Sequence, residues 1–81
     1  MSALYTIENK NNRLKEKVIK EKDIKEIFIK ECNICIDNIK NRKQIKLWKK
    51  EIEKCENEIY SIEDIIEILE NEFDYTIKNI F

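Results

Sequence analysis

IKLWKKEIEKCENEIYSIEDIIEILENEFDYTIKNI, residues 45–80, holds the longest regular apolar pattern in the chain. Ile45, Trp48, Ile52, Cys55, Ile59, Ile62, Ile66, Leu69, Phe73, Thr76 and Ile80 follow one another at alternating steps of three and four. That spacing is the seam of a coiled coil or a long bundle helix. As one helix the stretch would span about 54 Å, at 1.5 Å per residue. A second, weaker track runs through Leu4, Ile7, Asn11, Leu14 and Val18, then Phe28, Cys32, Cys35 and Ile39. Glu21 and Lys25 interrupt it and shift the apolar face locally toward Ile24 and Ile27, and Asp23–Glu26 has capping-box form. Between the tracks, Asp37, Asn38 and Asn41 favour turns, and Asn41–Gln44 is spaced to cap a following helix. The predicted architecture is therefore all-α: an antiparallel helical hairpin in a single domain over residues 1–81. Its helices run from about 3 to 38 and 43 to 80, with a turn at 39–42 and candidate interruptions near 22 and 61. Ser61–Asp64 could start a further helix, but the unbroken seam across it argues for continuity.

Composition supports this reading. The 81 residues include no Gly and no Pro, where average usage would place roughly ten. Turns that need positive φ lose their usual residue, and with them go sheet hairpins, phosphate-cradling loops and nucleophile elbows. The segment 26–36, EIFIKECNICI, is rich in β-branched residues and could form a strand, but it has no turn chemistry for a partner strand. Charged residues make up 41% of the chain, yet the apolar ones are regularly placed, which argues for order. No apolar run approaches a membrane span, and the first residues lack the long apolar stretch of a signal peptide. A cytoplasmic location and three free thiols are expected.

Flanking charges specify how the predicted helices pair. Glu51, Glu56, Glu58, Glu63, Glu70 and Glu72 beside the second seam oppose a parallel self-dimer, whereas Lys10, Lys15, Lys17 and Lys22 beside the first seam complement them in a hairpin. A bare hairpin would leave Ile19, Ile29, Ile34, Ile36, Tyr60, Ile65 and Ile68 outside its seam. The expectation is self-association into a helical bundle or docking on a protein partner.

Residues 40–50 contain six cations and no acid, whereas 51–81 contain ten acids and two lysines. The candidate site for a protein partner or a polyanion is Lys40, Arg42, Lys43, Lys46, Leu47, Lys49 and Lys50. Arg42 and Lys43 would occupy a first helical turn, where the macrodipole disfavours cations by about 0.3–1 kcal/mol each. Trp48 belongs to the seam and is read as core rather than as a base-stacking platform.

Catalytic chemistry is poorly supplied. His is absent, the two serines are Ser2 and Ser61, and the carboxylates follow a helix-surface pattern. Cys32–Cys35 forms a CxxC with Cys55 as third thiol; a zinc site needs a fourth ligand, and the seam placement favours packing. No metal, cofactor or small-molecule substrate is expected, and no enzyme activity. The tail 60–81 superficially resembles a helix-turn-helix DNA reader. Its turn, ENEFDY, holds three acids, and its recognition helix would carry Lys78 alone, so that function is not transferred. The expected function is a non-enzymatic helical interaction module: an adaptor, assembly factor or inhibitor. Small accessory proteins of phages or mobile elements that block host nucleoprotein complexes have this build. The alternative is a small nucleic-acid-binding protein that uses the basic tip.

Overall fold

The computed structural model of the chain describes residues 3–9, 11 and 14–80. Two strands come first, β1 (Leu4–Asn9) and β2 (Leu14–Lys20), followed by α1 (Glu21–Asn38), α2 (Arg42–Glu56), α3 (Ile62–Phe73) and a final strand, β3 (Tyr75–Asn79). The sheet has the order β2-β1-β3, and both pairings are antiparallel.

This α+β architecture overturns the expected all-α hairpin, together with the coiled coil and helical bundle built on it. The error lies in the period assigned to 4–18. Leu4 and Ile7 are three apart, which in a helix would nearly align them but in a strand sends them to opposite faces. Tyr5, Ile7 and Asn9 point into the core, while Leu4, Thr6 and Glu8 occupy the other face. Both strands of the β1–β3 pair carry the same tripeptide, Tyr5–Thr6–Ile7 and Tyr75–Thr76–Ile77, each residue a good β-former. Ile7 lies opposite Ile77, Asn9 opposite Tyr75, and Tyr5 opposite Ile19 of β2. Lys15 and Lys17 lie on an edge strand, where cations discourage edge-to-edge pairing; they do not face Glu63, Glu70 and Glu72 across a helical hairpin. Lys10 and the side chain of Leu14, both used in that pairing scheme, fall outside the described residues.

The segment 26–36 is helical, as part of α1. Strand β2 runs straight into this helix, where the Asp23 carboxylate accepts the Lys20 N–H at 3.1 Å. Asp23 thus reaches back from the first turn rather than opening it. The predicted reversal at 39–42 is present: the Asn41 side chain accepts from Lys43 N–H and Gln44 N–H at 3.0 and 3.4 Å.

The second predicted helix is divided. After α2, Ile59 N–H bonds to Lys54 O and Glu58 N–H to Cys55 O, with Glu58 at φ 57°. This is a Schellman ending with Glu where Gly is usual. Ser61 and Asp64 then cap α3 reciprocally, Ser61 Oγ accepting from Asp64 N–H and the Asp64 carboxylate from Ser61 N–H. The seam slips across this joint, leaving Ile59 67% exposed while Ile65 is fully buried.

One buried cluster serves the whole molecule. Tyr5, Ile7, Ile19, Tyr75 and Ile77 come from the sheet, Ile24, Phe28 and Cys32 from α1, Cys55 from α2, and Ile65 and Leu69 from α3. Each fully buried aliphatic or Phe side chain contributes about 1.5–3 kcal/mol. Helix α1 is the hub: it packs against α2, α3 and β2, while α3 also packs on β3. No helix among the described residues is long and apolar enough to cross a membrane.

Candidate interaction surface

Helix α2 is mounted on α1 by one face. Ile45, Trp48, Ile52 and Cys55 are buried or half-buried along it, at the spacing the sequence suggested. The opposite face is therefore delivered to solvent, and all seven predicted site residues are exposed. At 100° per residue, Lys43, Lys46 and Lys50 fall on that outer face, with Arg42 at its margin and Lys49 beside Ile45 at the edge of the packed face; Lys40 lies in the preceding connection. Lys43 and Lys50 stand one turn on either side of Leu47, which is 60% exposed.

Between α2 and α3 runs a groove of about 550 Å³. Gln44, Leu47, Trp48 and Glu51 contribute from α2, Ile68 and Glu72 from α3, and Tyr60 from the connection between them. A shallower extension along α3 adds Asp64, Glu67 and Asn71. The aromatic floor is held from several sides: Trp48 leans on Phe73 with ring centroids 5.4 Å apart, and Tyr60 meets Phe28 edge-on at 6.4 Å. The Tyr60 hydroxyl donates to the Glu51 carboxylate, and Lys54 Nζ lies 5.5 Å from its ring centroid. Burial, reinforced by the Glu51 carboxylate, pushes the Tyr60 phenol up to about 12, so it remains a donor at neutral pH.

Of the seven predicted site residues, all exposed, the groove takes in Leu47 alone, and its other lining residues were not singled out from the sequence as a site. Tyr60 and Ile68 were visible as apolar residues outside the seam. Their meeting with Trp48 depends on the break at 57–61, which turns α3 back beside α2.

The thiols lie beneath this surface. Burial pushes the Cys32 thiol up to about 12, with Cys35, Glu51, Cys55 and Glu31 adding repulsion of its anion. Burial also raises Cys35 and Cys55. Thiols held protonated are poor nucleophiles and poor metal ligands, and their positions fit packing. Among the described residues, no group of three or more Cys, Asp or Glu is placed to hold a metal ion.

Comparison of the chain with protein families, curated proteins and solved structures finds no match. Its function must therefore be argued from this surface.

Proposed function

We propose that the protein is a non-enzymatic protein-interaction module, an adaptor, assembly factor or inhibitor, that binds through the surface formed by α2 and α3. The observation carrying this reading is the apolar floor of Trp48, Tyr60 and Ile68 beside an exposed Leu47, open to solvent and ringed by charge. An aromatic floor with a polar rim is the usual anatomy of a protein interface. Of the apolar residues that an all-α hairpin would have stranded, Ile19 and Ile65 are buried and Ile29, Tyr60 and Ile68 pack against the core, while Ile34 stays exposed, as does Leu47.

A photo-crosslinking amino acid substituted at Leu47, with Lys15 on the exposed β2 edge as control site, tests this reading in the protein's source cell. A discrete protein adduct at 47 and none at 15 is expected. Adducts to nucleic acid alone, or none above the control, would overturn it.

A second reading has its own observation, the five exposed cations of α2, Arg42, Lys43, Lys46, Lys49 and Lys50. They could hold a phosphate backbone through a local, salt-sensitive contact. Titration with labelled RNA and DNA at low salt checks it, and absence of binding removes it. The acidic character of residues 51–81 weighs against a wider nucleic-acid footprint.

A further inference from the structure

The charges that line the α2–α3 groove have one sign. Glu51 and Glu72 stand in it, and Asp64 and Glu67 line its extension along α3; among the described residues, no cation lines either part. Lys43, Lys46 and Lys50 lie beyond Leu47, on the side of α2 turned away from the groove. Lys54, over the Tyr60 ring, is also outside that lining. Four carboxylates beside an apolar floor in a concave site focus a negative potential on whatever enters. Nucleic acid, an anionic lipid surface and an acidic peptide are repelled there; a cationic occupant is drawn in. The floor of Trp48, Tyr60 and Ile68 requires apolar anchors from that same occupant.

The walls decide its backbone. Helices α2 and α3 close their own main-chain hydrogen bonds, so an extended segment laid between them would find no ladder for its N–H and C=O groups. A helix brings its hydrogen bonds with it. Asp64 and Glu72 stand at the two ends of the acidic row on α3, about 12 Å apart along the axis at 1.5 Å per residue. A helix lying along α3 meets that row with cations spread over two to three turns, and the floor with apolar residues at the i, i+3, i+4 and i+7 positions. We infer that the groove takes a basic amphipathic helix of a protein partner, its apolar stripe on Trp48, Tyr60 and Ile68 and its lysines or arginines against Asp64, Glu67 and Glu72. This inference rests on the proposed interaction surface and names the chemistry of its occupant.

Trp48 is the single tryptophan of the chain, so its emission reports on the groove. The full chain is titrated with a helical peptide of about 18 residues, leucine along one face and lysine along the other. A saturable blue shift is expected, with a Kd that rises about tenfold or more between low and high salt. A leucine-glutamate peptide of the same pattern is expected not to bind. Glu67→Lys/Glu72→Lys should weaken binding about tenfold or more, whereas Glu16→Lys/Glu26→Lys, the same change of net charge on β2 and α1, should leave it within about twofold. All four positions are exposed, circular dichroism checks that the variants fold, and Glu67→Gln/Glu72→Gln carries the test if reversal unfolds the chain. No binding of the leucine-lysine peptide, equal binding of the leucine-glutamate peptide, or an equal loss in both reversed variants overturns the inference. The Leu47 adduct separates the two proposals. A protein adduct mapped by mass spectrometry to an acidic or extended segment, or to a second copy of the chain, leaves the interaction surface standing while the basic helix fails; an adduct to a lysine- or arginine-rich helix supports both.

Discussion

Asn9 is 2% exposed, the buried polar residue of the core. Its amide donates to the Phe73 carbonyl at 2.8 Å, and its Oδ1 accepts the Asn11 N–H at 2.9 Å. Asn11 in turn donates to the Asp74 carboxylate at 2.6 Å, so one side chain joins the β1–β2 turn to the α3–β3 corner. Asn9→Ala removes these bonds and strands a carbonyl; a loss of about 1–3 kcal/mol is expected in chemical denaturation. Glu58 offers the opposite case. At φ 57° it bears the left-handed strain that Gly avoids, and Glu58→Gly should stabilise the chain by about 1 kcal/mol. The buried thiols and phenols set the alkaline limit. Tyr5, Cys32, Cys35, Cys55 and Tyr60 all have raised pKa values in the fold. Their contribution is complete below the ordinary thiol value of about 8.5 and disappears as pH rises through the folded values, which reach about 12 for Cys32 and Tyr60. Stability should therefore decline between roughly pH 9 and 12, with thiolate absorbance at 240 nm appearing in step with unfolding rather than before it.

At the scale of elements, Ser61 decides whether the second half of the chain is one helix or two. In a continuous helix Ser61→Ala would be stabilising, since Ala is the better helix former. At an N-cap it costs about 1 kcal/mol, and that loss is the expected result of thermal or urea unfolding. Helix α2 carries the reverse imbalance: its first turn has no acid, and it holds Arg42 and Lys43 against the macrodipole. Lys43→Glu should raise stability by about 0.3–1 kcal/mol while weakening whatever binds the exposed cations of α2. A gain in melting temperature coupled to a loss of association would mark these cations as retained for binding. The end of α1 and the reversal at 39–41 were legible because Asn38 and Asn41 carry local chemistry that acts without tertiary help; its start at Glu21 was drawn as a candidate interruption near 22 inside a longer helix. The break at 57–61 was partly legible through Ser61 and Asp64. Its other half rests on Glu58 in a conformation that no Glu announces, and the uninterrupted apolar spacing across it concealed the division.

For the whole molecule, the decisive event is the return of β3 to lie beside β1, seventy residues away along the chain for the pair Ile7 and Ile77. Ending the chain after Asp74 removes Tyr75 and Ile77 from the core and bares one side of the central strand. Ile77 alone is worth about 1.5–3 kcal/mol, a large share of the stability a small domain possesses. The truncated chain should lose cooperative unfolding by circular dichroism, whereas a helical hairpin shortened by the same residues would merely fray.

By itself the sequence determined what local forces settle: that residues 21–56 are helical on either side of a reversal, that Phe28, Cys32 and Cys55 face inward, and that the cations of 40–50 face out. Apolar spacing could not settle 4–20 or 75–79. Leu4, Ile7, Asn11, Leu14 and Val18 satisfy a helical repeat as written, and the strand state wins only when Tyr5, Ile7, Ile19 and Ile77 find one another. Hydrogen bonds in a helix close within four residues, but those of β1 and β3 exist only once distant segments meet. Tertiary structure alone therefore decided the sheet, and the break at 57–61, half hidden in the sequence, decided the groove in which Trp48, Tyr60 and Ile68 converge.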